Sequence, residues 1–253
     1  MTVVAVRSSK GGAGRTSLTA LLATALARRD VQVAVMDLDQ QDALRLFCGE
    51  ATARPERSHA AQLELTPTPG GFMRVTQDAA ALFLLMGGGA HARHRAPALL
   101  DRWLGAPEIL IIDMPAVEDA AAAAVASLAG LHLRLFLPDL GSLATLAEPS
   151  QDESFNRSVY VLNQADRRRP LTEAARAFMR HVVGARFGGE IRRDEAAPEA
   201  FAALQPLPDY APTSAAWRDI QDLAADLQLR MGAAARFENS NKFEAPEVGA
   251  LRA

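Results

Sequence analysis

A chain of 253 residues, 49% of them apolar, can bury one large α/β core or two small ones. Lysine and arginine number 27 against 30 aspartates and glutamates, a formal charge of −3, which gives no electrostatic case for a dedicated nucleic-acid binder. The single cysteine, Cys48, excludes an internal disulfide, and no apolar stretch approaches the roughly 20 residues that span a bilayer. Arg7 and Lys10 interrupt the first apolar run, so no secretory leader is expected and a cytoplasmic location fits. Cys48 follows Leu46 and Phe47 and reads as a half-buried structural side chain.

Short apolar runs alternate with helical segments, which predicts a doubly wound, mostly parallel sheet with helices on both faces. A first strand over Val3–Arg7 leads through a glycine-rich turn into a helix over Thr16–Arg29. A second strand, Val31–Met36, ends in Asp37-Leu38-Asp39, and a short helix runs from about Asp42 to Phe47. Residues 49–60 read as a loop, and Leu63–Leu65, Phe72–Val75 and Leu82–Met86 as short strands between proline and glycine breaks. Ala96–Leu104 reads as helix, Ile109–Ile112 as a buried strand ending in Asp113, Val117–Leu128 as helix and Leu133–Leu137 as strand. Gly141–Ala147 is a short helix and Pro149–Asn156 a polar loop. Val159–Leu162 is a strand ending in Asn163, and Leu171–Val183 a helix. Ile191–Leu204 gives a turn and a short helix, and Leu207–Pro212 a loop with an extended piece. The last helix, Ser214–Met231, places Trp217, Ile220, Leu223, Ala224, Leu227 and Met231 on one face. From Gly232 periodicity stops, so one folded domain over 1–231 and a flexible tail over 232–253 are expected.

The stretch that carries chemistry is Ser8-Ser9-Lys10-Gly11-Gly12-Ala13-Gly14-Arg15-Thr16-Ser17, between the first strand and the first helix. Glycines let backbone N–H groups converge on an anion, and the helix start adds unpaired donors and its dipole. The pattern G-x-x-x-x-G-K-[ST] fails twice, at Ser9 and at Arg15, so a βα turn without a ligand is the plain alternative. Three later strands finish on Asp37/Asp39, Asp113 and Asn163, where ligands of parallel sheets bind. Beside a phosphate loop, Asp37 and Asp113 suit water-mediated contact to Mg²⁺, with Thr16 as a direct hydroxyl ligand. Asp39 would lie near a terminal phosphate and orient a water. Each aspartate alone could equally be a helix N-cap.

With those residues assembled, the chain resembles the ParA/MinD family of deviant P-loop ATPases. Lys10-Gly11-Gly12-Ala13-Gly14-Arg15-Thr16 matches the family loop K-G-G-x-G-K-[ST] everywhere except Arg15. Asp37, Asp39 and Gln41 are similar to its D-x-D-x-Q element, and Ile111-Ile112-Asp113-Met114-Pro115 to its I-I-D-x-P strand. Within the family the similarity is to the cellulose-biosynthesis branch, called BcsQ or YhjQ. It is carried by Asp37–Leu46, Leu137-Pro138-Asp139, Tyr160–Gln164 and Arg193-Asp194-Glu195-Ala196.

The resemblance implies ATP and Mg²⁺ as cofactors. It implies phosphate contacts from Lys10 through Ser17, and adenine contacts from Asn163 and from Pro208 in a loop over the base. Lys10 would reach across a nucleotide-sandwich homodimer and, with Asp39, serve catalysis. It also implies an accessory role beside a cellulose synthase and secretion complex, with membrane association through partners. Arg15 departs from the pattern. Arginine keeps the charge but its planar fork is bulkier and aimed differently from lysine, so binding with slow or absent hydrolysis is expected. The alternatives are a DNA-partitioning ATPase, a membrane-cycling switch and a fold that binds no nucleotide. Against the first, Arg167-Arg168-Arg169 and Arg192-Arg193 read as solvated surface. Against the second, 236–253 lacks a basic amphipathic pattern.

Overall fold

Strand β1 (Thr2–Ser8) alternates its buried side chains between two faces, and that alternation organises the molecule. A computed structural model describes residues 1–8, 10–39, 41–50, 65–75, 107–117, 120–146 and 153–243. Beside β1 lie β2 (Val33–Asp37), β3 (Leu65–Pro67), β4 (Met73–Val75), β5 (Ile109–Asp113), β6 (Leu131–Phe136), β7 (Ser158–Ala165) and β8 (Phe187–Arg192). They form one sheet in the order β3-β4-β2-β5-β1-β6-β7-β8. Every pairing is parallel except β3 with β4, so the carboxyl ends of seven strands collect along one edge.

The helices are α1 (Arg15–Ala27), α2 (Leu44–Phe47), α3 (Ala120–Ala126), α4 (Leu140–Ala144), α5 (Pro170–Val183), α6 (Ala196–Ala202), α7 (Leu207–Tyr210) and α8 (Ala215–Phe243). Val4, Val6, Val35, Ile111, Leu133 and Val161 pack against α1 and α8 on one face. On the other face, Ala5, Met36, Leu110 and Ile112 pack against Ala122, Val125 and Ala126 of α3. Phe136, Tyr160 and Leu162 pack against Ala175, Met179 and Val183 of α5. Helix α1 is buried from Leu18 through Leu26, as a helix enclosed between a sheet and another helix must be. The doubly wound reading therefore holds, and the apolar face expected on α8 is the buried one.

Three expectations need correction. The edge strand β8 was not foreseen, because its core is Gly188-Gly189-Glu190 rather than an apolar run. A Cβ on Gly188 would stand 2.4 Å from Val159 Cγ1, so only glycine lets β8 lie this close to β7. Leu207–Tyr210 is a helical turn, not an extended piece; Pro208 stands in its first turn, where a missing N–H costs nothing. Helix α8 continues past Met231 to Phe243. Apolar periodicity ends at Gly232, but 233–243 holds no glycine or proline to break the helix, which continues over it. The strand expected at Leu82–Met86, the helix at Ala96–Leu104, Ser9, and the last ten residues of the expected tail lie outside the described residues.

Candidate functional site

At the carboxyl edge of the sheet the chain leaves β1 and turns into α1 through Lys10–Gly14. Gly12 (φ +74°) and Gly14 (φ +85°) are both left-handed, the conformation glycine alone adopts freely. Gly14 is also the residue before α1, and its carbonyl accepts the first helical bond from Leu18 N–H. A side chain at Gly14 would meet Asn163 Nδ2 at 2.6 Å, so the loop is a cradle that a Cβ would fill. Ala13 is buried, whereas Lys10, Gly11 and Gly12 are exposed.

Asp37 and Asp113 end adjacent parallel strands in direct register. Asp113 is 1% exposed, and its Oδ2 accepts a 2.6 Å bond from Thr16 Oγ1. Its Oδ1 has no hydrogen-bond partner among the described residues. Burial, then the nearby Asp37 charge, pushes the Asp113 carboxyl up to about 7 against the pull of Thr16 and Arg15. Asp37 accepts from Asp39 N–H at 2.8 Å and Leu44 N–H at 3.0 Å, yet burial still raises it to about 6. Two facing carboxyls held above their ordinary range favour a cation or a proton between or beside them. Among the described residues no three His, Cys, Asp or Glu side chains gather into a metal cage. A Mg²⁺ ion here would need oxygens from water and phosphate beside Thr16 and Asp113, which is how that ion is commonly held.

Asp39 is half-buried, and its Oδ1 accepts from Gln41 N–H at 3.0 Å, which keeps it in the turn after β2. Lys10 Nζ pairs with Asp139 Oδ1 at 3.0 Å, across the sheet edge at the start of α4, with both side chains partly exposed. Arg15 Nη1 donates to the carbonyl of Met114, the residue after Asp113. Thr16 and Ser17 begin α1, and Ser17 faces the cavity described next.

That cavity, about 510 Å³, opens beside the loop between α1, α6 and α8, and its lining includes Gly14, Ser17, Asn163, Arg193, Pro198 and Phe201. Its size is that of a pocket for a small organic ligand. Phe47 and Phe201 meet edge-to-face at its side, with ring centroids 4.6 Å apart. Asp194 ties the rim together, accepting from Ser214 Oγ and from the N–H groups of Ala196, Ala215 and Ala216. Burial alone would raise that carboxyl; those bonds hold it below its ordinary range.

Pro208 does not line this cavity. Asp209, its neighbour, pairs at 2.5 Å with Arg28, which follows the far end of α1. A helix of that length sets the two ends about 20 Å apart. Pro198 supplies the proline that lines the cavity instead. Asn163 lines the cavity, and its Nδ2 donates to the Ala13 carbonyl at 2.8 Å. Gln164, which sequence reasoning passed over, donates through Nε2 to the Gly12 carbonyl at 3.2 Å. Its signals in the sequence were its place in the Tyr160–Gln164 stretch and its position next to Asn163 at a strand end.

The glycine cradle at a helix start, the acidic strand ends and this sheet order define the P-loop NTPase fold of ParA/MinD proteins. The chain is similar to a ParA family ATPase from Chlorobium tepidum TLS, with 20% identity over 88% of this chain and 98% of that one and a TM-score of 0.68. It is similar to MinD in the MinC:MinD cell division complex of Aquifex aeolicus, at 19% identity, 90% and 96% coverage and a TM-score of 0.69. It also resembles the septum site-determining protein MinD complexed with Mg-ADP from Pyrococcus horikoshii OT3, at 18%, 92% and 98%, with a TM-score of 0.65. No curated protein matches its sequence. Residues 1–227 match the family described as "Cellulose biosynthesis protein BcsQ", and the chain belongs to that family. No helix among the described residues is long and apolar enough to cross a membrane.

Proposed function

We propose that the protein is an ATP-binding, dimeric scaffold or regulator of a bacterial cellulose synthase and secretion complex, with slow or absent ATP hydrolysis. The observation that carries the reading is the orphaned Asp113 Oδ1, buried beside Thr16 at the mouth of a loop shaped to take an anion. A buried carboxylate oxygen without a partner costs about 1–3 kcal/mol, so the site is built for something it meets on binding. The structure similar to this one that was solved with Mg-ADP supports the same choice of ligand.

Lys10 to Ser17 would hold the phosphates, the cavity beside Asn163 would take the base, and Thr16 with Asp113 would hold the ion and its waters. ATP with Mg²⁺ supplies a polarised terminal phosphoryl group. The chain's own part is positioning. Arg15 donates to the Met114 carbonyl, so its fork is tethered at the Asp113 strand end. Rate in phosphoryl transfer comes from placing charge on the transferring group, and a tethered, bulkier cation does that poorly. Asp39 would orient a water, with little effect on turnover while Arg15 is in place.

Lys10 is the residue that would reach a partner's phosphates in a two-fold dimer closed on two nucleotides. Its pairing with Asp139 in the same chain is then a resting position, released when the dimer forms. Nucleotide that is not hydrolysed would keep the dimer closed, which suits a scaffold better than a fast switch. Membrane association would come through the secretion partners.

The test is ATP turnover together with molecular mass, for the natural chain and Arg15→Lys. Dimer mass with ATP and at most trace turnover in the natural chain, with a gain in turnover on Arg15→Lys, is the expected result. Fast turnover that Arg15→Lys leaves unchanged would overturn the weak-hydrolysis reading. A monomer at saturating ATP would overturn the scaffold.

A further inference from the structure

Asn163 and Gln164 are consecutive, and their side chains grip consecutive carbonyls of the loop, Ala13 and Gly12. A regular strand forbids this, since successive side chains point to opposite faces. The break that permits it is visible. Gln164 has φ +55°, and the pairing of β7 with β8 loses register between Leu162 and Ala165. A non-glycine residue held there is strained, and such strain persists where the surroundings enforce it.

The consequence lies on the other side of two peptide planes. In a trans peptide the C=O and the following N–H point in opposite directions. Fixing the Gly12 and Ala13 carbonyls toward β7 therefore turns the N–H groups of Ala13 and Gly14 away from β7. Those are two of the donors with which a glycine loop meets an anion. Asn163 Nδ2 stands where a Gly14 Cβ would be, so only glycine leaves room for this grip on the loop.

We infer that Gln164, together with Asn163, is a positioning residue that sets the Ala13 and Gly14 amides for the phosphate chain of a nucleotide. This rests on the nucleotide reading above and adds to it. Gln164 acts on the phosphate side of the ligand and through the loop, not on the base. A polyphosphate without a base should feel its loss as strongly as ATP does.

Two variants separate the amide from the strain. Gln164→Met keeps the length and the left-handed backbone but cannot donate. Gln164→Gly also cannot donate and adopts that backbone without strain. Calorimetric affinities of the full chain for Mg-ATP and for inorganic tripolyphosphate with Mg²⁺ are compared with thermal midpoints. Both variants are expected to weaken both ligands by a similar factor, about tenfold, with the midpoint of Gln164→Gly equal to or above that of the natural chain. Natural affinity for tripolyphosphate in either variant would overturn the inference. So would a loss confined to ATP, which would place Gln164 at the base, or a loss seen only where the midpoint falls. If the natural chain binds neither ligand, the nucleotide reading itself fails and the role of Gln164 goes with it. That result is distinct from a natural chain that binds and variants that bind equally well.

Discussion

The ends of β2 and β5 lie side by side, Asp37 against Asp113, and they are finished in opposite ways. At β2 both carboxylate oxygens are used inside the chain, by Asp39 N–H and Leu44 N–H, so Asp37 organises the turn that follows it. That turn is tied down further out. Arg74 of β4, 2% exposed, holds both Glu50 oxygens at 2.7 Å and stands 3.5 Å from Asp42, which itself sits at φ +48°. Cys48 is sealed beside this network, and burial pushes its thiol well up, so it is inert. At β5 the arrangement is open: one Asp113 oxygen takes the Thr16 hydroxyl, and the other waits. One carboxylate completes a structure, and its neighbour is left for a ligand.

Breaking the closed side should have the largest effect. Arg74→Met leaves Glu50 and Asp42 without their cation and is expected to cost about 3–5 kcal/mol of stability in urea unfolding. A loss below about 1 kcal/mol would mean the turn is not held from β4. Asp37→Asn comes next. Its amide can accept one of the two N–H groups but presents N–H to the other, at a cost of about 1–3 kcal/mol. Asp113→Asn, one strand away, should leave the stability of the ligand-free protein within about 1 kcal/mol, because Thr16 keeps an acceptor and a like charge is removed. Equal losses in the two variants would erase the distinction between the strand ends.

The pH profile sharpens the same contrast. Both carboxyls titrate higher in the folded chain, at about 6 and about 7, than the 3.8 of an unperturbed aspartate. Between about pH 4 and 7 the folded state thus binds more protons than the unfolded one. Stability contributed by these groups is greatest below that window and is lost as pH rises through it. Asp113→Asn should flatten the upper part of this fall, and denaturant midpoints across a pH series would show it.

Much of this was legible in the residues. Val3–Arg7, Ile109–Ile112 and the alternation within Leu133–Leu137 announce buried parallel strands, and Asp113 after an apolar run announces a carboxylate that needs a partner. The loop was readable because glycines at Gly12 and Gly14 leave a spacing mark. What stayed hidden lacks such marks. Strand β8 is glycine-rich and pairs through backbone, so it shows no apolar run. Pro208 was placed at the site by resemblance, and only the Arg28–Asp209 pair reveals that it sits at the other end of α1. Arg74 and Gln164 act through side-chain bonds to residues distant in sequence, which no local pattern encodes.

The most direct measurement is equilibrium dialysis of labelled ATP against the natural chain and Asp113→Asn, each with and without Mg²⁺. Saturable binding of one ATP per chain is expected in the natural protein, tightened by Mg²⁺, with the Mg²⁺ effect lost in Asp113→Asn. No saturable binding to the natural chain, or a Mg²⁺ effect that survives the substitution, would contradict the assignment of this loop and strand end as a metal-nucleotide site.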